Sequence, residues 1–254
     1  MNLGENLTEI IFAFARISSF LFMLPILSGK MIPRMGKIVL AVGLSLAVVG
    51  KVDVSHVEST FGLIGYLLMQ IIIGITLAKI VEMLMVIPTL AGSIMDMELG
   101  FSSISMYDPT TKQNNTILGV MLNIMFVVLF ISLGGIQNLI VAIIRSFELT
   151  DTLMFLGKKE FLEFYGSIGV YMLSSAVQIA LPIMGAMFIV NFVLLIIGKT
   201  APQTQIFTNM FPIKIASGIL FLAVTIPILG NVFDHLSSHV IDEFIRSFNY
   251  TFKK

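Results

Sequence analysis

Three apolar runs in this chain are too long to be simple membrane crossings, and that excess constrains the fold more than any other feature. Residues 61–95, 117–147 and 166–198 are hydrophobic all round at the scale of a helical turn, whereas about 20 helical residues suffice to cross a hydrocarbon core about 30 Å thick. Each run must therefore tilt, break or leave the bilayer. Each holds a candidate break: Pro88 in the first, Gly134-Gly135 in the second, Pro182 in the third. Residues 7–27 and 213–230 form two further runs, interrupted by Pro25 and Pro227, while residues 38–50 are too few to cross unaided. The pattern predicts an all-α chain of about six apolar segments, arranged as membrane-associated kinked helical hairpins.

Composition excludes the soluble alternatives. Of 254 residues, 57% are hydrophobic and 12% charged, more apolar surface than a soluble domain of this size can bury. Net charge is zero, so no whole-chain attraction to nucleic acid is implied. No cysteine is present, which removes disulfides and thiolate metal sites. Glu5 and Glu9 stand where a cleavable signal peptide needs positive charge, so the first run is expected to belong to the mature protein.

The polar residues fit a lipid-embedded bundle poorly. In a six-span arrangement one side would hold Lys30, Arg34, Lys37, Lys112, Lys199 and Lys214, the other Lys51, Arg145, Lys158, Lys159, Arg246, Lys253 and Lys254; charge asymmetry sets no orientation. Arg16, Gln70, Lys79 and Glu82 lie inside apolar runs with Asn123, Gln137, Asn138, Gln178 and Asn191. A charge at mid-bilayer costs about 2.5 to 3.5 kcal/mol even on the lenient insertion scale, so these groups are expected to face protein. Lys79 and Glu82 are three apart and share a helix face; an intramolecular pair, contacts to other subunits and an ion relay are the readings open to them. Gly62, Gly65, Gly74, Gly166, Gly169, Ser174 and Ser175 would permit close helix approach.

After Gly230, Phe233, Leu236, Val240, Phe244 and Phe248 recur at helical spacing with polar residues between them. Residues 231–254 are therefore expected to form an amphipathic helix and tail lying on a membrane surface or a partner. His235 and His239 lack the glutamate of a zinc-hydrolase motif, and no metal site, cofactor site or catalytic constellation is expected.

Three stretches carry a family resemblance: "ARISSFLFMLPILSGKMIPRMGKIVLAVGLSLAV", "AGSIMDMELGFSSISMYDP" and "GKTAPQTQIFTNMFPIKIASG". In order and spacing they resemble the flagellar biosynthetic protein FliR family, which is similar to the T subunit of virulence type III secretion systems. The resemblance covers nearly the whole chain, read as one domain, 1–254. It implies an export-gate subunit in a helical assembly with P and Q subunits, beside the B switch subunit, passing unfolded protein substrates. Much of that assembly would be raised out of the bilayer, which accounts for long broken helices and an uninformative charge distribution. The localisation implied is the bacterial inner membrane, at the flagellar basal body. The resemblance also implies that the loop after residue 97 projects into the pore and plugs it, through Leu99, Gly100, Phe101, Ser102, Ser103, Ile104, Ser105, Met106, Tyr107, Asp108 and Pro109. Adaptable Met106 and the mobile backbone at Gly100 suit a plug that must also withdraw; a loop folded back on its own bundle is the plainer alternative. The late motif, with Lys199, Pro202, Gln203, Phe207, Pro212 and Lys214, is expected to be an ordered connector, with Pro202 and Pro212 preventing one unbroken helix. A virulence gate subunit and a multipass small-molecule transporter are the alternative functions; the first discriminator is dependence on partners for stability.

Overall fold

The computed structural model describes residues 3–28, 33–52, 60–101, 116–148, 159–200 and 206–252. Among them every regular element is a helix: α1 Leu3–Met23, α2 Pro25–Ser28, α3 Arg34–Ala47, α4 Thr60–Met85, α5 Ile87–Leu99, α6 Ile117–Ser132, α7 Gly135–Arg145, α8 Lys159–Thr200 and α9 Ile206–Phe252. Backbone amides and carbonyls in an apolar surrounding must be satisfied within the segment, and only the helix does this for such runs. Phe61–Leu99, Leu162–Thr200 and Pro212–Ser247 are long and apolar enough to cross a membrane, and α6 with α7 makes a fourth if that bent pair counts as one span.

The breaks follow backbone chemistry, though not at every proline. Pro88 falls in the first turn of α5, where its missing N–H costs nothing, so the helix is interrupted only at Val86, two residues before the expected position, and the backbone there stays right-handed with φ -80° and ψ -13°. Gly134 divides α6 from α7 with φ 77°, a left-handed conformation that suits glycine. Pro25 opens α2. Pro182, by contrast, lies inside an uninterrupted 42-residue α8, and Pro212 and Pro227 inside a 47-residue α9. The expected breaks at Pro182 and Pro227, and the expected stop at Pro212, are therefore corrected. A proline removes one ladder bond, and long apolar helices accommodate the freed carbonyl by local adjustment.

The chain divides into two compact units. The first comprises Met1–Met85, Gly134–Gly169 and Ser238–Lys254. In it α1 packs on α3 and α4. Phe12, Ile17, Phe20 and Leu21 of α1 are fully buried, as are Ile73 and Leu77 of α4. Phe12 tilts against Tyr66 at 4.7 Å between centroids, and Phe20 stacks on Phe244 at 5.5 Å. Gly74 lets α1 and α4 touch backbone to backbone: a Cβ there would strike the Ser19 hydroxyl and the Arg16 carbonyl.

The second unit comprises Val86–Leu133 and Val170–Ser237. Its centre is the α5–α6 pair, with Phe126 packed edge-on against Phe233 of α9 at 5.6 Å. The predicted apolar stripe after Gly230 is thus present, but it does not lie on a membrane surface. Phe233, Leu236, Val240 and Phe244 are buried within the chain, because these aromatics find partners in Phe126 and Phe20. Phe248 has its side chain outside the described residues.

Candidate functional site

Two constructions hold the candidate residues, one in each unit. In the first unit, Arg16 and Gln70, which the sequence marked only as separate polar intrusions, meet in the core. Arg16 Nε donates to Gln70 Oε1 at 2.6 Å, and Nη1 donates to both the carbonyl and the hydroxyl of Ser146 at 3.0 Å. The guanidinium also lies 4.1 Å from the centroid of the Phe147 ring. Arg16 is 1% exposed and Gln70 not at all. A planar fork with donors on several edges suits this task; a lysine point charge does not. The cluster ties α1, α4 and the end of α7 together. Gln70 cannot be flipped, since its amide nitrogen would then face the Arg16 donor. Its Nε2 is left buried with no acceptor among the described residues.

Lys79 and Glu82 pair with each other at 2.6 Å, with side chains 45% and 41% exposed. Their neutralisation is intramolecular, yet the pair remains half open within an apolar span. At the rim of the same unit Lys51 binds Glu148 at 2.6 Å. That hydrogen bond, reinforced by the lysine's charge, holds the Glu148 carboxyl below its ordinary value of 4.5.

The second construction is the root of the loop. Leu99 closes α5 fully buried, its methyls filling the space that a Cβ on Gly218 would need. Gly100 caps the helix at φ 85°, its amide turned back to Asp96 and Met97 carbonyls. Phe101 is half-buried. Ser102, Ser103, Ile104, Ser105, Met106, Tyr107, Asp108 and Pro109 lie outside the described residues. Of the residues expected to form the plug, then, Leu99 and Gly100 have described positions at the end of α5 and Phe101 directly after them.

Beyond the loop, α6 returns along α5 by three contacts. Asn123 donates to Thr89 at 2.8 Å. Gly92 and Gly119 bring the backbones so close that a Cβ on Gly92 would run into Gly119. The Leu118 amide donates to both carboxylate oxygens of Asp96, at 3.2 and 3.1 Å. Sequence reasoning passed over Asp96. The available signal was an acid in the last turn of an apolar helix, where the helix dipole disfavours it.

Of the connector residues, Lys199 is exposed at the end of α8, Lys214 is half-buried in α9, and Pro212 and Phe207 belong to α9. Pro202 and Gln203 lie outside the described residues.

Long apolar helices, half-open charge within a span and helix surfaces bearing many uncovered large apolar side chains define a helical membrane protein. The family described as bacterial export proteins, family 1, matches residues 7–240. Among curated proteins the chain is 26% identical to the flagellar biosynthetic protein FliR of Aquifex aeolicus over 97% of this chain and 94% of that protein. It is 30% identical to FliR of Buchnera aphidicola subsp. Acyrthosiphon pisum over 84% and 83%, and 24% identical to FliR of Bacillus subtilis over 90% of each. The chain belongs to this family of bacterial export proteins.

Proposed function

We propose that the chain is the FliR subunit of a flagellar protein export gate in the bacterial inner membrane. There it assembles with P and Q subunits beside the B switch subunit to conduct unfolded flagellar proteins. Family membership and the flagellar names of its relatives support the export role and favour it over a virulence system. The observation that carries the gate reading is the surface the chain leaves open. Phe188, Ile189, Phe192 and Val193 on α8, and Ile219, Leu220, Val224 and Ile228 on α9, are exposed. A lone transporter would cover its polar groups itself; here Lys79 and Glu82 stay half open in a span, which suits burial against sister subunits.

In this reading residues 101–109 plug the pore and Leu99 and Gly100 anchor them. An apolar loop fills the conduit, and its anchored foot returns it to the same place after each substrate. No cofactor or metal enters the mechanism, and energy comes from other components. The test is deletion of residues 102–107 in the chain co-produced with its partner subunits. Assembly should survive while ion conductance of the assembled complex rises; unchanged conductance counts against the plug. Purification of a stable, folded chain without any partner would count against the gate itself.

A further inference from the structure

Among the described residues, helix α6 begins without a side-chain cap from its own N-cap residue. Thr116 occupies the N-cap position, yet its side chain makes no capping hydrogen bond. The first amides of any helix need acceptors, and here the acceptor comes from another helix, 22 residues earlier. Asp96 lies in the last turn of α5, where the negative end of that helix works against an acid, and it is 1% exposed. Both liabilities are relieved by one arrangement: the carboxylate sits on the positive end of α6 and receives the Leu118 amide on both oxygens.

We infer that Asp96 is a positioning residue, a cap supplied across the α5–α6 hairpin that holds the start of α6 against the end of α5. The two ends of the intervening segment therefore leave the helices at one fixed place. Its neighbours are consistent with that work. The Gly92–Gly119 contact lets the helix backbones approach closely enough for a short aspartate to reach. Thr89 and Asn123 form a second polar rung farther along, and Leu99 in its slot over Gly218 fixes the α5 end. The capping role stands on this geometry alone; its consequence for conductance rests on the export-gate reading above.

The chain has no cysteine, so Met97→Cys with Ile117→Cys, both exposed positions, reports on the hairpin ends without background. The full chain is produced with its partner subunits in membranes and treated with bifunctional maleimides of graded length. Asp96→Ala should slow cross-linking by the shortest effective reagent about tenfold, equivalent to about 1.4 kcal/mol. Asp96→Asn, which keeps one acceptor oxygen, should fall between Asp96→Ala and the parent. Gln70→Leu, a destabilising change in the other unit, should leave the rate unaltered, which separates positioning from general loss of stability. Equal rates in the parent and Asp96→Ala would overturn the inference. If Asp96→Ala does not accumulate, a parental rate in Asp96→Asn and Asp96→Ser overturns it instead. Ion conductance of the same complexes distinguishes the two readings: slowed cross-linking, with no leak from either Asp96→Ala or the 102–107 deletion, sinks the plug and leaves the cap standing.

Discussion

Arg16 is a buried cation whose described hydrogen bonds go to an amide and to a serine, so its energetics can be taken apart by a double-mutant cycle with Gln70. Gln70→Leu preserves bulk but removes the acceptor 2.6 Å from Arg16 Nε. The guanidinium stays buried, with Ser146 and the face of Phe147 as its remaining neighbours. Removing a neutral acceptor from a buried charged donor costs about 1.5 to 3 kcal/mol. Arg16→Met removes the charge itself and strands the Gln70 oxygen, about 1 to 3 kcal/mol for one buried unsatisfied group, with further loss of packing. The Ser146 hydroxyl suffers less, because it also donates to the Ile143 carbonyl at 2.6 Å. The double variant strands neither group and should be milder than the sum. The coupling expected for a hydrogen bond to a charged donor is about 1.5 to 3 kcal/mol, against an average of about 0.6 kcal/mol for polar pairs in membrane bundles. Denaturant unfolding of the four proteins in micelles, with partner subunits present, measures it. A coupling at or below the membrane average would refute the claim that this cluster is a charge-assisted clasp.

Three further outcomes are expected. Gly92→Ala places a methyl group against the Gly119 backbone, and should lower the unfolding midpoint of the chain, whereas Gly43→Ala, where the new methyl meets open space, should be neutral or stabilising by up to about 1 kcal/mol; thermal unfolding in detergent with partner subunits present compares them. Gly74→Ala should lower accumulation of the folded chain co-produced with its partner subunits because α1 backbone is in the way, while Gly65→Ala and Gly166→Ala, both in open space within the chain, should alter only co-purification with those subunits, and reduced accumulation in either would overturn this. The Lys51–Glu148 pair lowers the Glu148 carboxyl in the folded state, so its contribution is complete above about pH 4.5 and fades as pH falls through the lower folded value; Lys51→Met should raise the pH at which acid unfolding begins, and identical acid profiles would count against the pair.

The helices, the membrane and the family were readable from one line of letters. Long apolar runs force helices wherever water is excluded, and Gly134 and Pro88 announced two of the real breaks because their backbone limits are local. Pro182, Pro212 and Pro227 misled, since whether a helix absorbs a missing hydrogen bond depends on its surroundings rather than on the residue. The stripe from Phe233 to Phe244 was visible as a period, but what it packs on was not; Phe126 and Phe20 are far away in sequence.

Local chemistry thus determined the segments, their apolarity and the positions of costly charges, because each follows from a few neighbouring residues. Tertiary structure alone decided which of those charges meet. Arg16 reaches Gln70 and Ser146 across 54 and 130 residues, and Asp96 caps a helix that starts after the loop. No periodicity encodes such pairings: a buried donor takes whichever acceptor the packed helices bring within 3 Å, and only the packing specifies that.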